Sequence, residues 1–129
     1  MNKILVEVSV GELLDKISIL EIKKEKIKNS EKLKFINDEY TILKGQLDQN
    51  VKSDDRLNTL FKSLKEINAK LWVIEDDKRM CEKNSDFTEN FIKLSRDVHF
   101  LNDERAQIKL KINNHTGSKI KEIKEYTSY

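Results

Sequence analysis

Apolar residues recur through most of this chain at intervals of three and four, which is the spacing of one buried face on an α-helix. Rows of this kind run over residues 10–28, 31–49, 55–84 and 86–114. The chain has no proline and three glycines, so few positions would interrupt a helix. The pattern predicts an all-α antiparallel bundle of four main helices.

Two capping boxes mark where the first and fourth helices begin. Ser9 stands three residues before Glu12, and Asp86 stands three residues before Glu89. In a capping box each side chain accepts a hydrogen bond from the backbone N–H of the other residue, which satisfies donors that the first turn leaves unpaired. We therefore expect helices to start near Val10 and at residue 86.

The connections between the helices predict two hairpins of unequal length. Asn29 and Ser30 could cap the second helix, and a short connection there gives an antiparallel pair. Because neither glycine nor proline enforces this break, one long helix over residues 10–49 remains an alternative. At 1.5 Å per residue, the first two helices would each reach roughly 28 Å and the last two roughly 40 Å. A short hairpin should thus pack on a long one, whose projecting end would favour self-association.

The two ends of the chain lack the helical period. Residues 3–8 alternate apolar and polar side chains, which predicts a short N-terminal extended segment. After Gly117, residues 118–129 are expected to form a C-terminal strap, as either an extended segment or a short helix. The bundle is therefore predicted to carry an extended leader and a strap on its four helices.

Composition narrows the function classes. With 37% hydrophobic residues in 129, the chain can bury one modest core, so we expect a single helical-bundle domain over residues 1–129. The 25 Lys and Arg are interspersed with 23 Asp and Glu, without the basic face typical of nucleic-acid binding. No stretch approaches the roughly 18 apolar residues of a membrane span, and no secretion signal is recognisable. We expect a cytoplasmic protein that binds neither membranes nor nucleic acid.

Metal and disulfide chemistry find little support in the sequence. Cys81 is the one cysteine, so no intrachain disulfide can form. His99 and His115 are the two histidines, and together with Cys81 they do not supply the roughly four ligands of a zinc site. We expect no metal site and no cofactor.

One charged residue interrupts the apolar row of the fourth helix. The row runs Phe91, Leu94, Val98, Leu101, Arg105, Ile108 and Ile112. A guanidinium stays protonated in proteins, and burying an unpaired charge is costly. Arg105 therefore needs either a carboxylate partner or an anionic ligand. Glu21, which flanks the apolar row of the first helix, is the expected partner.

Polar side chains follow the third and fourth helices beside their apolar rows, again at intervals of three and four. On the third helix these are Trp72, Glu75, Asp76 and Arg79, and on the fourth they are Asn102, Arg105 and Lys109. A buried charged network between helices one, three and four could fix how the helices align. It could equally form a site for an anion.

Four segments resemble, in order and over almost the full chain, a family of small bacterial and phage proteins known only as a domain of unknown function. They read VSVGELLDKISILEIK, KLWVIEDDKR, NDERAQIKLKIN and GSKIKEIKEY. The polar candidates above match positions of the family pattern, and the resemblance adds Tyr126 in the tail. It implies a polar pattern shared by helices one, three, four and the tail, which favours a common site over scattered surface pairs. It supplies no activity.

Two function classes remain. The first is a small binding or assembly module that associates with itself or with a protein partner. The alternative is a small-molecule binder or enzyme acting on a phosphate- or carboxylate-bearing ligand, as all-α nucleotide pyrophosphatases and chorismate-mutase-like bundles do. The pyrophosphatase-like case alone requires a cofactor, magnesium, bound by carboxylates three or four residues apart. The candidates for that role are Glu21, Glu25, Glu75 and Asp76.

Overall fold

Four α-helices account for most of the chain. A computed structural model describes residues 3–129 and contains α1 (Val10–Lys26), α2 (Ser30–Asn50), α3 (Asp55–Lys83) and α4 (Glu89–Thr116). Residues 3–129 include no β-strand, and none of the four helices has an apolar stretch long enough to cross a lipid bilayer. The predicted all-α bundle of four main helices is confirmed.

α1 and α2 are separate helices. Ile27 leaves the helical conformation with φ −88° and ψ 131°, and the side chain of Asn29 accepts a hydrogen bond from the N–H of Lys32 at 3.0 Å. A cap of this type supplies an acceptor to the first turn, so a new helix can start without glycine or proline. The alternative of one helix over residues 10–49 is wrong.

The start of α4 also differs from the prediction. The helix begins at Glu89 rather than at residue 86, and its N-cap Thr88 makes no side-chain capping bond. Asp86 instead accepts hydrogen bonds from the backbone N–H and the hydroxyl of Thr88. This local turn occupies the carboxylate that the predicted capping box requires. At α1, by contrast, Ser9 accepts from the N–H of Glu12 at 3.0 Å, as expected.

The core forms where α1 packs against both helices of the long hairpin. α1 contacts α2, α3 and α4. A cluster of buried aliphatic side chains joins it to the hairpin, namely Leu14, Leu57, Leu60, Leu64 and Ile112. Burying such a side chain contributes roughly 1.5–3 kcal/mol. We call this part of the molecule, residues 10–71 and 105–116, the proximal bundle.

The outer part of the long hairpin has almost no buried side chain. We call residues 72–104 the distal hairpin, and within this range Cys81 alone is buried. Val73 and Ile92 are 48% and 55% exposed, whereas Ile74 and Leu101 are half-buried. The long hairpin thus projects beyond the core.

Residues 3–8 and 118–129 belong to no helix or strand. Residues 3–8 lie outside any strand and leave Ile4 exposed. Residues 118–129 form the C-terminal strap, which runs back along α4. Glu122 accepts a hydrogen bond from Lys109, and the hydroxyl of Tyr129 donates to Asp103. Of the two forms left open for the strap, the structure has the extended one.

Candidate functional site

Arg105 directs its guanidinium at two neutral amides. Nη1 donates to Oδ1 of Asn68 at 3.1 Å, and Nη2 donates to Oδ1 of Asn102 at 2.7 Å. The side chain is half-buried. Among residues 3–129 no carboxylate lies within ion-pair distance of Arg105. The charge in the apolar row is therefore hydrogen-bonded but not neutralised.

Glu21, the expected partner of Arg105, points elsewhere. Its carboxylate accepts hydrogen bonds from Nζ of Lys65 at 3.1 Å and from the hydroxyl of Tyr40 at 3.5 Å. Lys65 also donates to Glu25 at 2.9 Å. The hydrogen bond to Glu25, supported by that to Glu21, raises the pKa of Lys65 although burial opposes the shift. The expected Glu21–Arg105 pair is wrong, because the rotation of α1 about its axis directs Glu21 toward Lys65 and α2.

Asn68 connects Arg105 to α1. It is 4% exposed, and its amide nitrogen donates to Oδ1 of Asp15 and to the hydroxyl of Ser18, both at 2.8 Å. The amide oxygen is thereby left to accept from Arg105. The hydroxyl of Ser18 in turn donates to the backbone carbonyl of Asp15 at 2.8 Å. A polar network thus links α1, α3 and α4 through an amide rather than through a direct ion pair.

Asn68 is absent from the predicted set, and the spacing of the apolar row gives no signal for it. It stands beside Ile67, which fills the row of α3 between Leu64 and Leu71, whereas the polar residue that interrupts this row is Lys78. Asn68 is nevertheless buried, and buried polar side chains are nearly always hydrogen-bonded. Its contact with Arg105 is therefore visible in the packing of the helices and not in the period of one helix.

Lys109 is enclosed by carboxylates. Its Nζ donates to Glu12 at 2.6 Å and to Glu122 at 3.0 Å, and lies 3.8 Å from Asp15. Burial by itself would lower the pKa of Lys109, but the hydrogen bonds to Glu12 and Glu122 and the charge of Asp15 outweigh it and raise the pKa. Lys109 therefore joins α1 and the strap to α4, and protein carboxylates already neutralise its charge.

A groove of about 330 Å³ opens beside Arg105, where the proximal bundle meets the distal hairpin. We call it the Arg105 groove. Its lining consists of Ile19, Asn68, Leu71, Trp72, Glu75, Asp76, Arg79 and Arg105. Five of the predicted candidates therefore meet in one place, and Asn102 holds Arg105 from within α4. Besides Asn102, the candidates outside this lining are Glu21, Lys109 and Tyr126, the last being 72% exposed on the strap.

Charges of both signs surround the Arg105 groove. Among residues 3–129, neither Arg79 nor Arg105 forms an ion pair, and the same holds for Glu75 and Asp76. The hydrogen bonds of Arg105 come from Nη1 and Nη2, and its Nε donates none within residues 3–129. Trp72 forms a half-buried wall. The groove can hold an acidic group at the guanidinium and hydrogen-bond donors at the carboxylates.

The carboxylates of the magnesium-dependent alternative do not lie together. Glu21 and Glu25 contact Lys65, whereas Glu75 and Asp76 line the Arg105 groove. In the part of the chain that the structure describes, no group of three His, Cys, Asp or Glu side chains is arranged to hold a metal ion. The four carboxylates therefore occupy two separate places, at Lys65 and in the Arg105 groove.

The fold and the groove define a helical bundle with a polar cleft at the root of a projecting hairpin. A family model described as a family of unknown function (DUF6165) matches residues 4–129. The chain therefore belongs to this family, in agreement with the resemblance of its four segments. No curated protein and no solved structure matches the chain.

Proposed function

We propose that this protein is a small helical binding module whose Arg105 groove takes the phosphate or carboxylate of a small molecule. One observation carries the proposal: a half-buried guanidinium has two neutral amide oxygens as its hydrogen-bond partners. Amide oxygens satisfy N–H donors but do not neutralise the charge, and a partly desolvated cation is stabilised by an anion. An acidic ligand would supply that anion.

A purely structural role for Arg105 gives a weaker account of these contacts. A structural ion pair would place a carboxylate directly on the guanidinium, and the carboxylate of Asp15 is one residue away in the network. Asn68 keeps the two charges apart, because its NH₂ group faces Asp15 and its oxygen faces Arg105. This arrangement fixes the position of Arg105 and leaves its charge for a ligand.

The residues around Arg105 narrow the ligand class. Trp72 offers a flat apolar surface for a ring, and the carboxylates of Glu75 and Asp76 accept hydrogen bonds from hydroxyl or amino groups. Small-molecule pockets usually enclose roughly 300–1,000 Å³, and the groove, at about 330 Å³, lies at the small end of that range. Nucleotides combine all of these features, sugar phosphates combine the acidic group with hydroxyl donors, and small dicarboxylates share the acidic group.

Trp72 makes the proposal directly testable, because it is the one tryptophan of the chain. The full chain is titrated with nucleotides, sugar phosphates and dicarboxylates, with and without magnesium, while indole fluorescence and the thermal midpoint are followed. We expect at least one acidic compound to give a saturable fluorescence change and a higher midpoint, since a ligand of the native state stabilises it. If no compound of these classes does so, the proposal is wrong.

Arg105→Met assigns the response to the groove. The substitution removes the charge and keeps a long side chain, and hydrogen bonds to charged groups contribute roughly 1.5–3 kcal/mol, so we expect binding at least about tenfold weaker. Arg56→Met is the matched control, because Arg56 is exposed in the first turn of α3 and does not line the groove. Equal affinity of Arg105→Met and the unmodified chain would show that the ligand binds elsewhere.

A further inference from the structure

The long hairpin of α3 and α4 carries a second, larger depression on the other side of the α3–α4 contact. It encloses about 640 Å³. Its apolar lining consists of Ala69, Val73, Ile74, Phe100 and Leu101, and its polar lining of Lys70, Asp97 and Glu104. None of these residues lines the Arg105 groove. The two sites therefore occupy separate surfaces of the long hairpin.

Residues at intervals of three and four extend this surface along both helices. On α3 they are Lys70, Val73, Asp77 and Met80, and on α4 they are Lys93, Arg96, Phe100 and Glu104. We call these eight residues the hairpin face. Its apolar members Val73, Met80 and Phe100 are all exposed. Neighbouring exposed apolar side chains with a rim of charged residues are the arrangement found in protein–protein contacts.

We propose that the hairpin face binds the same face of a second copy of this chain and forms a two-fold symmetric dimer. The occupant is inferred from how the charges are distributed. A two-fold axis parallel to the hairpin brings α3 of one copy across from α4 of the other, at the same height along the axis. Such a dimer is stable when residues on α3 of one copy attract the residues that lie at the same height on α4 of the other copy.

The register of the two helices shows which residues share a height. Asn68 contacts Arg105 at one end of the hairpin, and Cys81 contacts Asn90 near the other. Between these contacts α3 advances 13 residues and α4 returns 15, so the two helices run antiparallel and nearly in step. Counted from the Asn68–Arg105 contact, Val73 lies level with Phe100 and Asp77 with Arg96, and Lys70 lies level with Asp103, one residue from Glu104.

This register makes the hairpin face complementary to itself. Lys70 meets Glu104 of the second copy, Asp77 meets Arg96, and the apolar pair lies between the two charged pairs. None of these four charged residues takes part in an ion pair within residues 3–129. The two-fold symmetry produces each contact twice, so the dimer contains four opposite-charge pairs around an apolar centre.

Dimerisation would also complete the architecture of the distal hairpin. Within residues 72–104 only Cys81 is buried, whereas a helix normally buries its apolar row against other elements of the fold. Face-to-face packing of two hairpins gives a four-helix arrangement in which Val73 and Phe100 become interior residues. The dimer thus provides the cover that α1 provides in the proximal bundle.

Charge reversal on the full chain tests the proposal at low ionic strength, where exposed charges are least screened. Sedimentation equilibrium is expected to show a dimer for the unmodified chain. Lys70→Glu alone and Glu104→Lys alone should each weaken it at least about tenfold, because each places like charges opposite one another twice. An equimolar mixture of the two variants should form a heterodimer in which both pairs are again opposite in charge.

The mixture is decisive because a disturbance within one chain is not repaired by mixing. Lys34→Glu, an exposed change on α2, is the matched control and should leave the association unchanged. Circular dichroism confirms that each variant is folded. A monomeric unmodified chain overturns the proposal, and so does a mixture that associates no better than its components. Association that survives both reversals would assign the interface to a different surface.

Discussion

The proximal bundle and the distal hairpin share two helices, yet they are stabilised in different ways. In the proximal bundle α1 packs on α3 and α4, and Leu64 and Ile112 are completely buried. In the distal hairpin Cys81 is the one buried residue of the range 72–104. The apolar rows of α3 and α4 nevertheless continue from one region into the other without a change of period. Periodicity therefore determines where the helices are, whereas the path of α1 determines which part of them is buried.

Truncating one leucine in each region should give the largest difference. Leu64→Ala is expected to lower the free energy of unfolding by about 3 kcal/mol, because it leaves a cavity in a closed core. Leu94→Ala in the half-buried row of the distal hairpin should cost about 1 kcal/mol, since it loses less burial and opens no enclosed cavity. Urea denaturation followed by circular dichroism measures both. Equal losses would mean that the distal hairpin is as well packed as the core.

A smaller effect is expected at Gly11, where α1 packs closely on α4. A Cβ at Gly11 would lie 2.7 Å from the backbone oxygen of Lys109 and 3.0 Å from Oδ1 of Asn113. Oδ1 of Asn113 accepts a hydrogen bond from the backbone N–H of Gly11 at 2.7 Å. Gly11→Ala would force α1 away from α4, and we expect it to destabilise the fold by about 1–3 kcal/mol.

Gly45→Ala is the matched control for Gly11→Ala. A Cβ at Gly45, inside α2, would meet no atom within 4 Å. Alanine is favoured over glycine within a helix, so this substitution should stabilise the fold by about 0.5–1 kcal/mol. The same denaturation experiment measures both variants. Shifts of the same sign would contradict the close packing of α1 on α4.

The smallest effect concerns the strap in acid. The hydrogen bond from Lys109 lowers the pKa of Glu122, although burial opposes the shift. A carboxyl whose pKa is lowered by folding stabilises the structure fully above its unfolded pKa, and this contribution is lost as the pH falls through the folded pKa. Amide signals of residues 118–129 in NMR spectra should therefore shift toward unstructured values in acid, below the ordinary pKa of a glutamate.

Glu122→Gln separates this titration from others. The amide has no charge at any pH, so the variant should have a looser strap already at neutral pH and no further acid step in these signals. An unchanged acid step in Glu122→Gln would assign the transition to another carboxyl.

The helices could be predicted because the sequence features that specify each one lie within a single segment of the chain. Each apolar row repeats within one segment, and the caps at Ser9 and Asn29 involve residues three positions apart. The start of α4 could not be read in this way, because Asp86 has two local partners to choose from and accepts hydrogen bonds from Thr88. The spacing of Asp86 and Glu89 in the sequence does not show which of the two short-range contacts Asp86 makes.

The groove was predictable in part for a similar reason. Trp72, Glu75, Asp76 and Arg79 share one strip of α3, so their proximity follows from the helical period alone. The partner of Arg105 depends instead on how α1 is rotated about its axis, and a one-helix pattern does not contain that angle. Glu21 was therefore misplaced. Asn68 was missed because it stands beside Ile67 and leaves the apolar row of α3 uninterrupted there.

Asn68 has one further consequence for the electrostatics of the molecule. Its amide is a dipole with the positive end on Asp15 and the negative end on Arg105. Aspartate has nearly the same shape, but at this position it would cancel the positive potential of the guanidinium and repel Asp15. Because the amide of Asn68 is neutral, it separates the carboxylate of Asp15 from the guanidinium of Arg105 without neutralising either charge. The positive potential of Arg105 therefore reaches the Arg105 groove.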